Sequence, residues 1–361
     1  MKSIWQRAGA LCVLGVVAGC GGGDSDDDDS PLSGDFHVVA LEATVTPANT
    51  TGSYWGTAEI TDSFASLTTM RNENSTLGGP FTEEYGPAVN ADGSFLLLDT
   101  STNDSVLAGC LAGGGGVAVA TSIRGGDLPK LFGLLRETSG AGAVDLAGAW
   151  RFGFFTVQAE GRSSSGTATF DGIDAGVLDA GALLNLDGVL ETATLGSPGA
   201  YAVAANGRVT LTFLFSGTFE GALDPTGELA LLGGTTSGGI PGLLWFVKAA
   251  TSASNATFSG DYCMVGLAFD YATPAMRSFG GGLAADGAGN ALAQGTTNTE
   301  GTIGSTPPAS LTYSVTADGT LTLVTPDGTF VGGVSPSGAY AVVGGPNTAG
   351  ADPAFYLLVR P

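Results

Sequence analysis

Three short stretches decide the architecture of this chain: LSGDF at 32–36, LAGAW at 146–150 and FSGDY at 258–262. Each sets a small residue and a glycine ahead of an aromatic. Downstream, NADG (90–93), AANG (204–207) and TADG (316–319) bring a second glycine, 59 residues after the first in every copy. A third landmark closes each copy. LFGLLR, LLWFVK and FYLLVR end at Arg136, Lys248 and Arg360, 112 residues apart both times. Landmarks in one order at fixed spacing mark a tandem repeat, with units at 32–137, 146–249 and 258–361. The small, polar stretches TSGAGAVD (138–145) and ATSASNAT (250–257) between them read as flexible linkers.

Within each unit the pattern is β. The 60 glycines alternate with Val, Leu, Phe and Tyr in short runs, and no long segment shows apolar residues at helical spacing. In the third unit, Asp286-Gly287, Asp318-Gly319, Asp327-Gly328 and Ser337-Gly338 supply turns that need positive φ. They separate strands expected at 261–270, 278–285, 289–297, 311–317, 320–325, 329–334, 339–343 and 354–360. The fold class is therefore all-β: three tandem antiparallel meanders, each of about eight strands. Closing such a sheet into a barrel hides its edges, and eight strands leave an interior that side chains fill or that holds one small ligand. The alternative is a six-bladed β-propeller, which would show a period near 55 rather than the visible 112.

A glycine-x-aromatic in the first strand and a cation at the end of the last resemble the calycin barrels, the lipocalins and avidins. The matching pairs are Phe36 with Arg136, Trp150 with Lys248, and Tyr262 with Arg360. The resemblance implies that each aromatic packs against its cation at the closed end of a barrel. It also implies a carrier, each barrel holding a small hydrophobic ligand. Unit two is the first candidate, because alternation puts Trp150, Phe152 and Phe154 on one strand face and Phe170 lies near. A core filled by these rings is the other reading.

The N-terminus carries an address. Lys2 and Arg7 precede an apolar run from Ala8 to Gly19, too short for a membrane-spanning helix. It ends in Val17, Ala18, Gly19 and Cys20, which resembles the lipobox of bacterial lipoproteins. The resemblance implies a signal peptide at 1–19, lipidation of Cys20, and a membrane attachment through that lipid. Gly21, rather than an aspartate, follows the cysteine, which in that family resembles outer-membrane cargo. Residues 20–31, rich in Gly and Asp, read as a solvated tether, and an acidic run so close to the anchor resembles surface-export signals.

After removal of 1–19 the net charge is −24, which excludes nucleic acid as a natural partner. No metal pattern, nucleophile elbow or phosphate loop occurs, and no cofactor is implied. His37, the only histidine, reads as an ordinary exposed strand residue, and Asp171, Asp224 and Asp286 read as wet turn caps. Cys110 and Cys263 fall in different units, which favours two buried free thiols over a bridge. The expectation is a non-catalytic, lipid-anchored envelope protein with a structural, adhesive or interaction role, partnered by a protein; the alternative is the carrier of small hydrophobic ligands.

Overall fold

The computed structural model describes residues 31–44, 50–157, 161–178, 182–186, 189–193, 198–213, 217–235, 241–345 and 351–361. The signal peptide, Val17, Ala18, Gly19, Cys20 and the tether up to residue 30 lie outside the described residues.

The first unit holds β1 (Gly34–Thr44), β2 (Thr50–Ile60), β3 (Ala65–Glu73), β4 (Thr76–Val89), β5 (Ser94–Asp99), β6 (Ser105–Leu111), β7 (Val117–Ser122) and β8 (Lys130–Arg136). They form a closed antiparallel barrel in sequence order, with β8 pairing back on β1 from Phe36↔Arg136 to Glu42↔Lys130. The third unit repeats the plan. Its strands are β19 (Ser259–Asp270), β20 (Ala275–Asp286), β21 (Asn290–Thr299), β22 (Thr302–Val315), β23 (Thr320–Thr325), β24 (Gly328–Val334), β25 (Tyr340–Gly345) and β26 (Ala354–Val359). Closure inside every unit rules out propeller blades.

The middle unit closes the same circuit with two strands broken. Its strands are β9 (Gly148–Val157), β10 (Gly161–Phe170), β11 (Ala175–Leu178), β12 (Ala182–Leu186), β13 (Val189–Ala193), β14 (Pro198–Val203), β15 (Arg208–Phe213), β16 (Gly217–Leu223), β17 (Leu229–Gly234) and β18 (Leu243–Lys248). β10 pairs with β11 over Ala168–Phe170 and with β12 over Arg162–Ser165. β11 and β12 thus share the position that β3 fills in barrel 1, and β13 and β14 share that of β4. β18 closes onto β9.

The recurring glycines have a backbone reason. Gly34, Gly148 and Gly260 sit at φ +128°, +104° and +95°, and Gly93, Gly207 and Gly319 at +82°, +87° and +79°, a region that side chains strongly disfavour. The expected strands of the third unit agree with the structure except at β22, which starts at Thr302 rather than near 311. Pro307 and Pro308 argue against a central strand, but this part of β22 has only β21 as a neighbour, and an edge tolerates proline.

Each barrel has its own interior core: Phe36, Val38 and Ala40 with Phe95 and Phe132 in barrel 1; Trp150, Phe152, Phe170 and Phe246 in barrel 2; Tyr262, Met264, Leu323 and Phe330 in barrel 3. A fourth core lies between the barrels. Val39, Leu41, Val119 and Leu131 of barrel 1 meet Phe155, Leu231, Leu243 and Trp245 of barrel 2 and Val265, Leu267, Phe355 and Leu357 of barrel 3. The first strand and the last two strands of every barrel are therefore buried on both faces, and β7, β17 and β25 are buried at every residue. Phe355 stacks on Trp245 with ring centroids 4.2 Å apart. The three units pack against one another instead of hanging on loose links. Segment 138–145 enters a 3-10 turn at Ala143–Leu146, and Ala250 and Asn255 of the second link are pinned, the latter accepting from the Val315 amide.

Three expectations are corrected here. Cys110 on β6 and Cys263 on β19 form a disulfide, Cα atoms 6.1 Å apart, joining barrels 1 and 3; belonging to different units does not separate them, because the units share a core. His37 is 3% exposed, and its Nε2 lies 3.0 Å from the accepting carbonyl of Asn206 across the barrel 1–barrel 2 contact. Asp224 is buried, its carboxylate accepting from the amides of Thr226, Glu228 and Leu229, whereas Asp171 and Asp286 cap exposed turns.

Candidate functional site in the third barrel

One end of every barrel is sealed in the same way. The Arg136 guanidinium carbon lies 4.9 Å from the Phe36 ring centroid, Lys248 Nζ 5.7 Å from that of Trp150, and the Arg360 guanidinium carbon 5.2 Å from that of Tyr262. Each cation also donates to the segment that leads into its barrel: Arg136 to the carbonyls of Pro31 and Ser33, Lys248 to that of Asp145, Arg360 to those of Thr257 and Ser259. That segment brings a fully buried plug two residues before the first glycine: Leu32, Leu146 and Phe258. The plug and the cation together pack this end of each barrel. In sequence, each plug is the apolar residue that opens its motif, LSGDF, LAGAW or FSGDY.

The opposite end differs among the barrels. In barrel 1, Glu42 on β1 pairs with Lys130 on β8 at 2.8 Å and with Arg71 on β3 at 3.2 Å. Tyr54 donates to Glu42, and both cations lie over its ring. Burial, then the Glu42 carboxylate, push the Tyr54 hydroxyl up from its ordinary value. Tyr85 fills the adjoining space, donating to Glu83. This end is closed by a charge-compensated network.

Barrel 2 is filled by rings. Trp150, Phe152 and Phe246 are at most 1% exposed, Phe170 meets both Tyr201 and Phe246 edge-on, and Phe154 meets Phe219 edge-on at 5.9 Å. The aromatics expected to cradle a ligand in unit two are its core.

In barrel 3 the three charged positions carry small, uncharged residues. The strand registers place Ala268 where barrel 1 has Glu42, Ala354 where it has Lys130, Thr297 where it has Arg71, Phe279 where it has Tyr54, and Leu311 where it has Tyr85. A cavity of about 450 Å³ results, lined by all five of these residues. Buried Met264, Leu311, Leu323 and Phe330 make up much of its apolar lining. Tyr356 stands on its wall, edge-on to Phe279 at 6.1 Å and to Phe330 at 5.4 Å. Burial and the nearby Asp327 carboxylate push the Tyr356 hydroxyl up to about 12. The mouth carries Arg277, Asp327 and Asp352, with Arg277 donating to Asp352 at 2.8 Å. Asp352 is held above the usual carboxylate range by burial, with Asp270 adding like-charge repulsion. Among the described residues no His, Cys, Asp and Glu cluster has the grouping of a metal site.

No protein-family model and no curated protein matches the chain. Among solved structures, intact Ap-TbpB (N and C lobes) aligns with 90% of this chain and 76% of its own, at 9% identity and a TM-score of 0.25. A point mutant of the vaccine antigen transferrin binding protein B from Haemophilus parasuis Hp5 aligns with 90% and 75%, at 9% identity and a TM-score of 0.22. An overlap of that quality assigns no family, and the cavity stands on its own residues.

Proposed function

We propose that this chain is an exported, lipid-anchored binding protein in which barrels 1 and 2 are scaffold and barrel 3 takes a small, largely apolar ligand. The observation that carries this reading is the replacement of the Glu42–Lys130–Arg71 network by Ala268, Ala354 and Thr297, which leaves a lined space of about 450 Å³. That volume lies within the ordinary range of small-molecule pockets, and the mix of an apolar lining with a few polar groups at the mouth is theirs too. A neutral, environment-sensitive naphthylamine dye should brighten on titration with the mature protein. Filling the cavity with Ala268→Glu and Ala354→Lys, which copies the pair from barrel 1, should abolish the signal. Equal brightening with the filled variant would reject the site.

The attachment rests on Val17–Cys20 and on a run too short to span a bilayer. Cys20→Ser should move the protein from the membrane fraction to the soluble one; retention in the membrane fraction would reject the lipid anchor. A second reading, as an interaction surface, is favoured by the β3–β4 and β21–β22 ribbons, which expose Leu77, Phe81 and Ile303. Protease shaving of intact cells should then cut these ribbons, and their protection would place them facing inward.

A further inference from the structure

We infer that the ligand of the third barrel is an organic cation, an amine or quaternary ammonium group attached to an apolar body. This deepens the reading of barrel 3 as a binding site and rests on it. Three aromatic rings, Phe279, Phe330 and Tyr356, share the cavity wall, with Tyr356 edge-on to the other two. A cation close to aromatic faces is attracted by their quadrupoles, most strongly where water is excluded. The charges at the mouth point the same way. Arg277 is already engaged by Asp352, whereas Asp327, on the turn between β23 and β24, forms no ion pair among the described residues and lines the same cavity. Asp270 adds a further negative charge beside Asp352. An anionic head would meet these carboxylates beside an Arg277 already paired with Asp352. The formal charge of −22 over the whole chain also draws cations rather than anions toward the mouth.

The test uses the mature protein and three probes of one shape: benzyltrimethylammonium, its neutral carbon isostere neopentylbenzene, and the anion phenylmethanesulfonate. Binding is read by calorimetry and by saturation-transfer NMR. The cation should bind at least about tenfold more tightly than the neutral isostere, and the anion should not bind. Asp327→Asn, an exposed turn substitution, should weaken the cation several-fold and leave the neutral probe unchanged. The Ala268→Glu/Ala354→Lys variant, checked for folding by circular dichroism, should lose both. Equal affinity for cation and isostere, with loss of both in the filled variant, would overturn the cation assignment and leave the cavity standing. Cation binding that survives in the filled variant would show a diffuse attraction to the acidic surface and overturn the assignment. No binding of any probe would overturn the assignment together with the reading beneath it.

Discussion

Breaking the Cys110–Cys263 disulfide releases a cross-link between residues 153 apart in sequence. In the chain-entropy view, a loop of that length withholds roughly 17 cal/mol/K from the unfolded chain, or about 5 kcal/mol at 25 °C. Both cysteines are buried in the core shared by the barrels, at 4% and 3% exposure, so replacing them with alanine removes little volume. The native barrel 1–barrel 3 contact should persist without the bridge. Asn298 still donates to Ser122 and to the Asp127 carbonyl, and the Gly113 amide to the Arg360 carbonyl. The loss should therefore fall on the unfolded state. Guanidinium unfolding followed by circular dichroism should show the Cys110→Ala/Cys263→Ala protein about 2–5 kcal/mol less stable than the oxidised protein. Its denaturant slope should be steeper, because an uncrosslinked chain exposes more surface. Reduced wild-type protein should match the variant. A difference under about 1 kcal/mol, or two titratable thiols in native oxidised protein, would refute the argument.

Gly260→Ala meets no atom within 4 Å and Gly34→Ala meets Arg136 Nη1 at 2.7 Å; the first should cost about 1–3 kcal/mol of backbone strain, and thermal melts should show the second costing more. Trp245→Ala opens the shared core under Phe355 and should lower stability by about 3–5 kcal/mol, read by denaturant titration; a loss below 1 kcal/mol would mean that barrels 2 and 3 do not rest on this stack. Hydrogen bonds hold the Asp99 and Asp286 carboxyls down at about 2, in each case mainly from neighbouring side chains and amides in their turns. Depressed folded values mean stability that is present above about pH 4, the unfolded value, and is lost as pH falls toward 2. Melting temperature should drop across that window, and less steeply in an Asp99→Asn/Asp286→Asn variant; a flat profile would reject the role of these caps.

The repeat, the strand count and the turns were legible because they rest on local chemistry. A glycine that must take positive φ, as at 34, 148 and 260, cannot be hidden in a sequence. Alternation along a strand likewise declares its two faces. Signals for the packing of the units were present but ambiguous. LFGLLR, LLWFVK and FYLLVR are continuous apolar runs, as strands buried on both faces must be, yet a run alone does not say what covers its outer face. The shared core, the burial of His37 and the Cys110–Cys263 bond all follow from that one unknown.

The candidate site was less legible still. The conspicuous aromatics Trp150, Phe152 and Phe154 pointed to unit two, where they fill the barrel, while the site arises from small residues in unit three. Ala268, Ala354 and Thr297 carry no signal of their own; they matter only because strand register sets them where Glu42, Lys130 and Arg71 close the first barrel. By itself, the sequence determined that the chain is three β-units with glycine-bound turns, because those features are set by neighbours along the chain. Only the tertiary structure decided which barrel is hollow and how the three are bound together, because a cavity and an interface are sums over side chains brought together from distant strands.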